Sequence, residues 1–167
     1  MGTVLSMIPV YEMPLGGSVT LLSMLPICLV GLLHGPKWGF GTAFVYSVIQ
    51  LMLSKCFAWG LSPTVLVVCI LADYIVAFTA LGVTGFFRGR SRVWFCVGIF
   101  YALILRMSCH YISGVTIWAS SAPEGWNVWL YSLAYNGFYM VPEMAFTMAG
   151  ALILSEVPQL KRMMLKA

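Results

Sequence analysis

Residues 63–87 run for 25 positions with a single charged side chain, Asp73. A transmembrane helix needs about 20 mostly apolar residues. Five stretches of this kind follow one another, at roughly 19–34, 38–60, 63–87, 92–117 and 128–154. The chain also opens with a short apolar stretch, residues 1–10, about half a span long at a rise of 1.5 Å per residue. It lacks the basic start and small-residue cleavage site of a signal peptide. It reads as the outer half of a helix whose inner half is missing from the chain.

Only helices and closed barrels satisfy every backbone group in lipid. A barrel would show alternating segments of about ten residues, and none is present. Only 8% of the residues are charged, against about 25% in soluble domains, so lipid rather than water must face most of the surface. These features predict an all-α membrane protein over residues 1–167: a six-helix transmembrane bundle with a shortened first helix. No internal repeat or long linker divides it. The five cysteines, Cys28, Cys56, Cys69, Cys96 and Cys109, are scattered and form no CxxC pair. They read as small apolar residues, with neither a disulfide framework nor a metal site.

The basic residues are unevenly placed. Arg88, Arg90 and Arg92 crowd one loop, Lys161, Arg162 and Lys166 sit in the C-terminal tail, and His34 and Lys37 flank Gly35–Pro36. The positive-inside rule puts these segments, and the C-terminus, in the cytoplasm of a multi-pass membrane protein. The loops near 11–18, 55–62 and 118–127 then face out. The net charge of +4 follows from this topology and calls for no nucleic-acid partner. The tail beyond Ser155 reads as a basic end at the lipid surface.

Ionisable side chains inside a membrane are costly and point to function. Here they are Asp73, Arg106, His110 and Glu143. Counted from the outer helix ends, Asp73 lies ~15 Å deep and Asn136 ~12 Å. His110 and Tyr131 lie nearer the outer surface. Tyr131, Tyr135, Tyr139 and Glu143 form an i, i+4 stripe, with Ser132 and Asn136 beside it. Each residue also has a plainer reading: Trp126 and Trp129 as interface anchors, Asn136 as a helix–helix hydrogen bond, His110 as structural, and Glu143 as a partner of Arg106 or of a backbone donor. Asp73 has no lysine at matching depth. A carboxylate attracts a cation, aromatic faces add cation–π energy, and His and Asn read the edge of a heterocycle. Together they suggest an outward-facing pocket for a small, aromatic, positively charged molecule.

The stretch from Arg106 to Glu143, RMSCHYISGVTIWASSAPEGWNVWLYSLAYNGFYMVPE, resembles the thiamine-specific S component of energy-coupling factor (ECF) transporters, the ThiT family. PLGGSVTLLSMLPI at 14–27, GPKWG at 35–39 and LADYIVAFTALGVTGFFR at 71–88 agree with it. The resemblance implies a six-helix subunit that binds thiamine from outside, hydrolyses no ATP and is not an enzyme. Its partners would be a transmembrane coupling protein, two cytoplasmic ATPase subunits and the surrounding lipid, and it would topple in the membrane to release the vitamin inside. No cofactor or metal is implied. His110, Gly114 and Trp118 match the family's binding run on the fifth helix, Tyr131 and Asn136 its contacts on the sixth, and Asp73 an acidic residue facing the thiazolium, with Tyr74 beside it. Gly114, having no Cβ, would let the ligand ring approach the backbone.

Two departures stand out. Some relatives carry a Trp near the position of Gly17, where GGS at 16–18 offers no ring. The family's first helix carries spaced alanines that pack on the coupling protein, and here its inner half is absent. A misplaced start codon explains that more simply than a deletion.

An S component for another vitamin, or for a precursor such as hydroxymethylpyrimidine, is the nearest alternative. A membrane-embedded enzyme using Asp73, His110 and Glu143 is a second, although no GxSxG, HExxH or paired-aspartate motif is present. A structural subunit of a larger complex is a third.

Overall fold

The structure, a computed structural model, describes residues 1–14 and 16–166, without side chains beyond Met163. Leu15 of the 14–27 stretch, Ala167 and the Lys166 side chain of the basic tail lie outside the described residues. The chain begins with a short helix α1 (Gly2–Ser6) and a hairpin of β1 (Pro9–Glu12) and β2 (Ser18–Thr20). Helices α2 (Leu25–His34), α3 (Pro36–Leu53), α4 (Pro63–Phe87), α5 (Arg92–Thr116), α6 (Val128–Glu156) and α7 (Pro158–Lys166) follow.

The sequence reading of the first 34 residues needs correction. Residues 1–10 are not one half-helix, and 19–34 is not one span. β1 and β2 pair antiparallel, Pro9 opposite Thr20 and Glu12 opposite Ser18, with an irregularity between Pro9 and Tyr11. Pro9 cannot continue a helix, and the β-branched Val19 and Thr20 suit a strand. Pro26 falls in the first turn of α2, where proline is favoured because its missing N–H has no helical partner to lose. With 10 residues, α2 is ~15 Å long, about half the apolar core of a bilayer. Among the described residues, 4 helices are long and apolar enough to cross a membrane: Pro36–Ala58, Pro63–Phe87, Arg92–Thr116 and Val128–Glu156.

Close backbone approach joins α2, α3 and α4. A Cβ on Gly39 would stand 2.9 Å from Gly31 Cα and 2.9 Å from Gly82 O, so only glycine fits where the three helices meet. Phe95, Ile99, Ala102 and Leu103 of α5 bury against Leu25, Leu32 and Leu81 to form the core.

The basic segments gather at one end of the bundle. Arg92 pairs with Glu156 and donates from Nε to Ser155 Oγ at 2.9 Å, while Lys161 reaches Glu156 at 3.0 Å. Arg90 lies over the Trp94 ring at 5.2 Å. The hairpin and the loops at 54–62 and 117–127 occupy the other end.

Helix α4 is irregular where it matters. Pro63–Cys69 is α-helical, Ile70–Val76 is a π segment, and Ala80–Phe87 tightens to 3-10 geometry. π segments widen the helix and recur at functional sites. This one carries Asp73 and Tyr74.

Candidate functional site

A cavity of about 430 Å³ opens at the end opposite the basic loops. That is within the range of small-molecule sites, about 300–1,000 Å³. Asp73, Tyr74, His110, Gly114, Trp118, Tyr131 and Asn136, all expected from the sequence, line it.

Asp73 organises one wall. His110 Nδ1 lies 3.0 Å from its Oδ1, Ser113 Oγ donates to Oδ2 at 2.6 Å, and Trp118 Nε1 donates to the same oxygen at 3.2 Å. His110, Ser113 and Trp118 come from α5 and the residues just beyond it. His110 and Ser113 are three positions apart and share a helix face. The carboxylate is therefore held from one side by groups of fixed direction. Hydrogen bonds to an ionised acceptor are the strong ones, and burial strengthens them further. The other ring nitrogen of His110, Nε2, is buried and has no hydrogen-bond partner among the described residues.

Helix α6 builds the second wall. Asn136 Nδ2 donates to Ser132 O at 2.9 Å and reaches His110 O at 3.3 Å, and its Oδ1 accepts from Tyr139 OH at 2.9 Å. The plain reading of Asn136 as a bond between helices thus holds in part, because its amide ties α6 to α5. Tyr131, Tyr135 and Tyr139 follow one another with ring centroids 5.9 and 6.3 Å apart. The i, i+4 spacing read from the sequence is the reason they form a ladder.

Gly114 has a different explanation from the one its sequence position suggested. A Cβ there would run into Ser132 Oγ and come within 3.2 Å of Asn136 Nδ2. The absent side chain makes room for α6. Ser132 Oγ in turn donates to Tyr111 O at 2.8 Å across the same contact.

Two contributors were not legible beforehand. Ser113 was passed over because a serine in a span carries no cost that draws notice. Trp59, from the loop after α3, stands edge-on to Trp118 at 5.3 Å. It supplies a ring at the outer rim that the first loop lacks. The hairpin tip, in the outward-facing loop read from the sequence at 11–18, also contributes. Gly16 and Gly17 have φ of 89° and 88°, in the region that favours glycine. A Cβ on Gly16 would meet Trp59 at 2.8 Å, and one on Gly17 would meet Tyr139 at 2.7 Å. Tyr135 OH donates to Gly16 O at 3.1 Å. The tip therefore rests directly on the rings of the cavity.

Glu143 and Arg106 lie below. Glu143 is fully buried and accepts from the backbone N–H of Thr20 and, at 2.7 Å, from its hydroxyl. Of the two partners considered from the sequence, the backbone donor is the one observed. Arg106 lies with its guanidinium carbon 4.3 Å from the centre of the Phe78 ring, and its terminal nitrogen reaches Met24 Sδ at 3.0 Å. It lines the cavity floor.

A family model described as "Thiamine transporter protein (Thia_YuaJ)" matches residues 1–162. A relative named thiamine transporter ThiT, from Bacillus subtilis (strain 168), is 38% identical in an alignment covering 78% of this chain and 71% of that protein. A second ThiT, from Lacticaseibacillus paracasei, is 28% identical over 68% of this chain and 61% of its own length. Among solved structures, ThiT from Listeria monocytogenes superposes with a TM-score of 0.73 at 21% identity, covering 95% of this chain and 90% of that one, which supports the same fold. These relatives are named as transporters, a family without enzymatic activity. With a family model spanning nearly its full length and a relative of this similarity, the chain belongs to the thiamine transporter protein family.

Proposed function

We propose that this chain captures thiamine from the outer side of the bacterial cell membrane as the substrate-binding subunit of an ATP-driven ECF importer. The observation that carries the reading is the Asp73 carboxylate, fixed by three donors on the wall of an aromatic-lined cavity. Thiamine joins a cationic thiazolium to an aminopyrimidine, and the site offers chemistry for each part. Asp73 supplies the counter-charge to the thiazolium. Trp118 and Tyr74 give it aromatic surface, where cation–π attraction adds to dispersion. His110 Nε2, free of protein partners among the described residues, and the second lone pair of Asn136 Oδ1 meet the pyrimidine edge. Tyr131 closes the pyrimidine end. No bond is made or broken.

The basic end faces the cytoplasm in this reading, so the C-terminus is inside and the cavity outside. The energising partners are the transmembrane coupling protein and the two ATPase subunits that the family resemblance implies. Co-purification of the three with this chain tests that assignment, and their absence from a detergent-solubilised complex would overturn it.

Tryptophan fluorescence of the purified protein during thiamine titration tests the ligand. Saturable quenching is expected. In Asp73→Asn the dissociation constant should rise by about 100-fold, since losing a desolvated charge partner costs roughly 2–5 kcal/mol. A flat titration with folded protein would refute thiamine as the ligand. Equal competition by the pyrimidine fragment alone would show that the cationic ring, and hence Asp73, is not read, and would favour a precursor as the substrate.

A further inference from the structure

Glu143 is a carboxylate on the middle of a membrane-spanning helix, ~23 Å below the outer end of α6, and it does not face the ligand cavity. Its oxygens are taken up by the root of the hairpin. Oε2 accepts the Thr20 N–H, and Oε1 accepts the Thr20 hydroxyl at 2.7 Å and lies 3.5 Å from Ser23 Oγ. Thr20 Oγ1 and Ser23 Oγ are 2.6 Å apart. All three residues are buried.

The backbone explains why a carboxylate sits there. Between the last residue of β2 and the first of α2 the chain is neither strand nor helix, and Thr20 and Ser23 are buried, so its polar groups need partners within the protein. Leu22, within that turn, has φ of 62°, a conformation that costs a non-glycine residue on the order of 1–3 kcal/mol. Such a turn persists only where its surroundings hold it. Glu143 grips it on both sides of Leu22, through Thr20 and through Ser23.

The same strand carries the lid. Thr20 is three positions from Gly17, which lies against Tyr139, and four from Gly16, which accepts from Tyr135. We propose that Glu143 is a positioning residue for ligand retention: by clasping Thr20 and Ser23 it fixes the root of the hairpin, and so seats the Gly16–Gly17 tip on the tyrosines that wall the cavity. It touches no ligand and acts through the strand. This rests on the thiamine-capture reading above.

The test uses the full chain in detergent, with hydrogen exchange read over residues 9–20 without ligand and thiamine association and dissociation followed by stopped-flow tryptophan fluorescence. Glu143→Ala is expected to raise hairpin exchange and the dissociation rate by about tenfold or more, as loss of a charge-assisted hydrogen bond predicts, with association little changed. Glu143→Gln keeps an oxygen that can accept the Thr20 N–H and should restore most of both. A general loss of structure would not divide the two rates in this way, nor be rescued by glutamine. If Glu143→Ala fails to fold, Thr20→Val, which removes only the hydroxyl bond, should still raise hairpin exchange severalfold. Wild-type exchange and dissociation in folded Glu143→Ala, or wild-type exchange in Thr20→Val, would overturn the proposal. Because exchange is read without ligand, a wild-type protein that ignores thiamine would count against the proposed function and leave the clasp to be decided by exchange alone.

Discussion

Ser113 shows how much a residue without charge contributes here. Its hydroxyl makes the shortest of the three bonds to Asp73, at 2.6 Å. Ser113→Ala leaves one carboxylate oxygen dependent on Trp118 alone. Hydrogen bonds to charged groups are worth about 1.5–3 kcal/mol, so thiamine affinity should fall by roughly tenfold or more, measured by the same fluorescence titration. Gly114 gives the opposite signature. Gly114→Ala drives a methyl into Ser132. It should lower the melting temperature through overpacking of about 1–3 kcal/mol, and a Gly114→Ala/Ser132→Gly double variant should recover it. A melting temperature untouched by Gly114→Ala would mean that α5 and α6 are not held at this distance.

Among the elements, the hairpin is the one whose sequence was most misleading. The run from Val19 to Leu33 is apolar almost throughout, and hydropathy alone cannot tell a strand with a buried turn from the start of a span. The signals that separate them were local. Pro26 marks the first turn of α2, and Pro9 blocks a helix through the opening stretch. Parts of the cavity wall were easier to find. Asp73 and His110 stood out because charge in an apolar run is expensive, and the tyrosine ladder because its spacing matches a helical face. Trp59 had no such signal, since its position depends on how a loop folds across the bundle. Gly17→Ala probes the hairpin directly. It places a side chain at a positive φ and against the Tyr139 ring. Thiamine dissociation should quicken by about tenfold, the equivalent of ~1.4 kcal/mol of lost lid contact, with a modest fall in melting temperature from the strained φ. An unchanged dissociation rate would detach the tip from ligand retention.

For the whole molecule, the arrangement of charge is the testable property. Arg88, Arg90 and Arg92 share one end with Lys161, and Gly125 lies at the other. A membrane-impermeant thiol reagent applied to intact cells should label Gly125→Cys, and should reach Arg90→Cys only after permeabilisation. The reverse pattern would invert the orientation and put the cavity on the cytoplasmic side.

The hairpin is tied at its deep end by buried bonds to a carboxylate, and at its shallow end by the Tyr135 hydroxyl on Gly16 O beside ring contacts. A flap hinged that way has one direction of swing. Lifting its tip uncovers the chamber at the end opposite the basic loops, whereas retracting its root would strip the buried Thr20 amide of its acceptor. A flap of this kind opens the chamber at one end of the bundle only. Under the proposed import reading, passage inward then falls to movement of the whole body relative to the membrane rather than to the flap.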